Sequence, residues 1–117
     1  MGLAGTRILI VDDDLAMARL LEAAVMDAGG RIAGVALNFA SALDLIETPH
    51  VTAVLVALHV NGVSCSEFVA ELVSRSIPFA VTAGFDCETE QQIPTDIEHF
   101  QIKYLMAELA NSIRLQI

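Results

Sequence analysis

The chain alternates between two hydrophobic periods. The apolar run Arg7-Ile-Leu-Ile-Val11 predicts a strand over 6–11, buried on both faces because no polar position interrupts it. Asp14 then stands where a helix cap belongs. Met17, Leu20, Leu21, Ala24, Val25 and Ala28 follow at helical spacing, and Gly29-Gly30 ends the helix. A shorter strand is expected over 32–36. Asn38 can cap a second helix carrying Phe39, Leu43 and Ile46, with Pro49 closing it. The run 51–58 is the most apolar strand and the natural centre of a sheet. Asn61-Gly62 predicts a tight turn, and Ser64-Cys-Ser-Glu67 reads as a capping box for a helix over 68–75. Pro78 introduces a fourth strand over 79–83, and a fifth is expected over 97–102. Leu105, Leu109, Ile113 and Ile117 line one face of a last helix. The intervening stretch 85–96 holds Asp86, Glu88, Glu90 and Asp96, few large apolar side chains and Pro94; a short, irregular, loosely held helix is expected there.

Strands alternating with helices predict an α/β domain over 1–117. Its fold class is a flavodoxin-like (βα)5 doubly wound, five-stranded parallel sheet, order 2-1-3-4-5, with helices on both faces. Such sheets place their sites at the carboxyl ends of the strands where the winding reverses, here between the first and third strands. That point brings Asp12, Asp13 and Ala57 side by side.

Composition narrows the function classes. Apolar residues are 55% of the 117 positions, above the ~45–50% usual in globular proteins, so some apolar surface is expected to meet a partner. The net charge of −9 and only six basic residues argue against a nucleic-acid ligand. Cys65 and Cys87 have no metal-ligand spacing and read as free thiols. His50, His59 and His99 are scattered and read as solvated or edge-of-core residues. No apolar run approaches the ~18 residues of a spanning helix, and a cytoplasmic location is expected. The opening Met1-Gly2-Leu-Ala-Gly-Thr6 matches a loose myristoylation pattern, which is read as chance because Thr6 opens the first strand.

Three stretches carry a family resemblance: the Ile-Leu-Ile-Val-Asp-Asp-Asp opening, the Leu-His-Val-Asn-Gly turn after the third strand, and the Ile-Pro-Phe strand. Together they resemble the receiver domain of two-component response regulators, over essentially the whole chain. The resemblance implies a bacterial phosphorelay protein. In a complete receiver an acidic pair and a third-strand aspartate hold magnesium, and that aspartate accepts the phosphoryl group. The matching positions here are Asp12, Asp13 and Ala57, with the backbone carbonyl of His59 as a further metal ligand. Alanine can neither attack phosphorus nor bind a cation, so magnesium binding is expected to be weak at best and no other cofactor is implied. The family's switch Thr or Ser falls, counting from Pro78, on Ala83; Thr82, one residue early, is then expected on the opposite face. Counting back from Leu109 without a gap puts Ile102 on the family lysine, whereas a one-residue deletion restores Lys103.

The resulting expectation is a stand-alone, receiver-like protein that is not an enzyme, cannot accept phosphate and acts by binding. Its partners would be a histidine kinase, a phosphotransfer protein or another receiver, and it is expected to self-associate or bind a partner through the last helix and fifth strand, at Tyr104, Leu105 and Leu109. Two alternatives stay open: a conventional phospho-accepting receiver altered at position 57, and a ligand- or cation-binding module reusing the emptied pocket.

Overall fold

The computed structural model describes residues 3–82 and Leu109. Strand β1, Arg7–Val11, is followed by helix α1, Leu15–Asp27. Next come β2, Arg31–Ala36, and α2, Phe39–Ile46. Then β3, Ala53–Val56, leads into the short strands β4, His59–Val60, and β5, Val63–Ser64. Helix α3, Ser66–Ser74, and strand β6, Phe79–Val81, complete the described elements.

Local chemistry starts and stops the helices much as expected. Asp14 Oδ1 accepts the amides of Ala16 and Met17, and Asn38 Oδ1 accepts that of Ser41. At the end of α1, Gly29 takes φ +93°, and the amides of Gly29 and Gly30 donate to the carbonyls of Met26 and Val25. Glycine suits that left-handed cap because it carries no Cβ.

The start of α3 corrects the capping-box expectation. The helix begins at Ser66, and its cap residue Cys65 makes no side-chain cap bond. Ser64 belongs to β5, and its Oγ accepts the amide of Ser66 instead. The Asn61-Gly62 turn closes a hairpin between β4 and β5, two strands too short for the apolar pattern to mark. Both turn residues have positive φ, 55° and 79°, the geometry that matches the twist of a two-residue hairpin.

The main sheet runs β2-β1-β3-β6, all parallel, in agreement with the first four places of the expected order. Its side chains alternate between two apolar layers. Ile8, Ile10, Ala53, Leu55 and Ala80 pack under α1 through Ala18, Leu21 and Val25. Leu9, Val11, Val54 and Val56 pack on the other side against Ala42, Ile46, Phe68 and Leu72 of α2 and α3. All four β3 residues are fully buried, as a central strand should be.

The helix faces are rotated slightly from the sequence reading. Ala18 takes the core place while Leu20 is exposed, and Ala42 takes it while Leu43 is exposed. The small side chains of Ala18 and Ala42 pack in the core, and the neighbouring Leu20 and Leu43 face water.

Leu109 is fully buried among Leu3, Ile8, Leu21, Val25 and Leu55. This corrects its expected interface role, because a side chain with no exposed surface has nothing to offer a partner. Tyr104 and Leu105, the stretch 85–96 and the fifth strand lie outside the described residues. No helix among the described residues is long and apolar enough to cross a membrane.

Candidate functional site

The strand register builds the site. Ala36, Val11, Val56 and Val81 form one row across the sheet. The hydrogen bonds continue that row by one residue: Asp12 donates its amide to Ala36, Ala57 to Val11 and Thr82 to Val56, at 3.0, 2.9 and 2.9 Å. Asp12, Ala57 and Thr82 therefore stand side by side at the carboxyl ends of three adjacent strands. All three are buried, at 5%, 3% and 2% exposed.

This row overturns the expectation that Thr82 sits on the opposite face. Residues in one row of parallel strands project to the same side, and a one-residue slip would reverse it. The count from Pro78 put Thr82 out of phase because it assumed a fixed distance from the proline to the strand end. Pairing with β3 sets that distance instead. Ala83 and Lys103 lie outside the described residues.

The acidic residues are held by backbone amides. An oxygen of Asp12, Oδ1, accepts the amide of Asp14 at 2.9 Å. Asp13 Oδ2 accepts the amide of Asn61 at 2.6 Å, across 48 positions of chain. The Asn61 side chain in turn donates through Nδ2 to the carbonyl of Leu37 at 3.0 Å. Asn61 thus ties the hairpin to the ends of both β1 and β2. The turn residue is legible in the sequence but the latch is not, since no short-range signal connects positions 13 and 61.

A magnesium ion wants near-octahedral oxygen ligands, usually one or two carboxylates completed by waters and a phosphate. Asp12 and Asp13 each accept one amide hydrogen, which leaves each carboxylate further lone pairs for a cation, and the Ala57 side chain contributes no oxygen. His59 sits in the pair opposite Ser64, next to the Cys65 amide bond to the Leu58 carbonyl. That makes His59–Ser64 a non-hydrogen-bonded pair and leaves the His59 carbonyl outside the hairpin ladder. Among the described residues no three His, Cys, Asp or Glu side chains gather as a metal-binding group. Among the described residues, the donor set lacks the third carboxylate of a complete magnesium site. His50 and His59 are exposed, and Cys65 is a free, buried thiol.

The latch has a measurable consequence. A hydrogen bond to a charged group is worth about 1.5–3 kcal/mol, and the exposed setting here puts the effect near the low end. Asp13→Ala is expected to raise the hydrogen-exchange rate of the Asn61 amide by about tenfold, while Asp13→Asn, which keeps an acceptor oxygen, preserves most of the protection. Unchanged exchange in Asp13→Ala would show that the turn holds itself.

No family model and no curated protein matches the sequence. Solved structures do. SdrG from Sphingomonas melonis Fr1 is 21% identical and superposes with a TM-score of 0.68 over 93% of this chain and 98% of its own. The PhyR response regulator REC domain of Erythrobacter litoralis is 24% identical, with a TM-score of 0.61 over 67% of this chain and 62% of its own. The response regulator PhyR from Brucella abortus is 22% identical, with a TM-score of 0.65 over 95% of this chain but 48% of its own. The chain thus spans about half of the Brucella PhyR chain. These similarities establish the receiver fold.

Proposed function

We propose that the chain is a receiver-like signalling protein of a two-component phosphorelay that does not accept phosphate and works by binding other proteins. The observation that carries this reading is Ala57, buried at the centre of the row Asp12–Ala57–Thr82. A phosphoryl group needs an anionic oxygen there, and the methyl group supplies none. The amide bonds to Asp12 and Asp13 support the same reading, because they give the acidic pair a structural role. Cation binding at the pair is weak. In this assignment Thr82, rather than Ala83, holds the family's switch-hydroxyl position.

The partners are a histidine kinase, a phosphotransfer protein or another receiver. Immobilised protein is expected to capture one of these from extract of the source cells, equally with and without acetyl phosphate. Capture that appears only with the phosphodonor would overturn the reading.

Thr82 also favours a second reading. Asp12 and Thr82 both flank position 57, which is the arrangement expected of a conventional phospho-accepting receiver altered at that position. A natural gene encoding Asp at 57 would decide for it.

A further inference from the structure

Helices α2 and α3 and the β4–β5 hairpin enclose a groove of about 580 Å³, whose lining includes Phe39, Leu43, Val63, Glu67, Phe68 and Glu71. Its base is aromatic: the rings of Phe39 and Phe68 lie 5.4 Å apart at an interplanar angle of 29°. Its apolar rim faces water, with Leu43 at 39% and Val63 at 56% exposed. Exposed apolar side chains lining a concavity of this size mark a place where another surface fits.

Charge selects the occupant. With their C-cap residues, α2 and α3 carry Asp44, Glu47, Glu67 and Glu71 against one base, Arg75. Arg75 is already engaged, 2.7 Å from Glu71 and 3.5 Å from Glu47. Asp44 and Glu67 are left uncompensated by any base on these two helices. A second copy of the chain, with net charge −9, would bring more negative charge to this wall. A cationic segment with a large apolar side chain satisfies both the aromatic base and the carboxylate rim.

We infer that the α2–α3 groove is a docking site for a partner segment that inserts an apolar side chain between Phe39, Leu43 and Val63 and sets flanking Lys or Arg residues against Glu67. The inference rests on the reading that the chain works by binding, and it names where.

The probe is a fluorescent amphipathic peptide of Leu and Lys, with a Leu and Glu peptide as its control. The Leu/Lys peptide is expected to bind, to bind less tightly as salt rises, and to shift backbone NMR signals in α2, α3 and the hairpin. Glu67→Lys combined with Val63→Ser weakens it about tenfold, the scale of one exposed ion pair plus one apolar contact. Both positions are exposed, so the fold should survive their replacement. Asp27→Lys, an equal charge change at the end of α1, leaves affinity close to that of the wild type. Equal binding of the Glu peptide, an equal loss in Asp27→Lys, or no binding of the Leu/Lys peptide would each overturn the groove proposal. Capture of the signalling partner is measured on the same double variant. Undiminished capture discards the groove while leaving the binding role intact, whereas absence of capture by the wild type discards the role itself.

Discussion

Wild-type protein incubated with acetyl phosphate and magnesium takes up no acid-labile phosphate, and Ala57→Asp does. The difference is expected to be one of presence against background, since position 57 offers no nucleophile until the carboxylate is supplied. The substitution also changes how the protein responds to cations. A carboxylate at a position 3% exposed, one strand from buried Asp12, is desolvated and faces like charge. Both effects raise its folded-state pKa above the ordinary ~3.9 of aspartate. The folded variant then holds its proton more tightly than the unfolded chain. Its stability therefore falls as pH rises from about 4 through the raised pKa, by about 1.4 kcal/mol per unit of elevation. Magnesium reverses this loss by binding only the folded form, adding about 2.7 kcal/mol at a hundredfold excess over Kd. Melting curves with and without magnesium, run beside the labelling assay, should show a large shift for Ala57→Asp and a small one for the wild type. Thr82 stands in the same row, so Thr82→Ala in the Ala57→Asp background is expected to slow labelling by about 10²–10³-fold, the usual cost of removing one donor that meets developing charge. Acid-labile phosphate on the wild type, at any residue, would end the claim that this receiver fold is chemically silent.

The second large effect is on stability. Leu109→Ala should cost about 2–5 kcal/mol of unfolding free energy, the range for truncating a fully buried leucine. Leu109 has no exposed surface and shares its cluster with Leu3, Ile8, Leu21, Val25 and Leu55, so the change opens a cavity against β1, β3 and α1 at once. Urea unfolding is expected to show a lower midpoint with an unchanged slope. Sedimentation of the same variant at matched concentration separates packing from pairing. A stability change below about 0.5 kcal/mol, the usual size for surface substitutions, together with loss of a dimer, would return Leu109 to an interface.

What could be read in the chain follows from interactions that reach only a few residues. Asp14 and Asn38 cap helices because an oxygen on a short side chain meets amides two or three positions ahead. Asn61-Gly62 turns because these two residues tolerate positive φ, and Gly29 ends α1 for the same reason. The unbroken apolar runs in β1 and β3 announce strands covered on both faces, and hence the parallel sheet and the switch point holding Asp12, Asp13 and Ala57. Pairing between distant segments decided the rest. Ser64 went to a hairpin strand and not to a helix cap because β4 lay opposite it. Thr82 came into the row of Ala57 because hydrogen bonds to β3 set the register, and side-chain direction reverses with every residue. Leu109 faced the core because an amphipathic pattern marks an apolar face without saying what will cover it. The bond from the Asn61 amide to Asp13 spans 48 positions, and only the folded sheet brings its two ends within 2.6 Å.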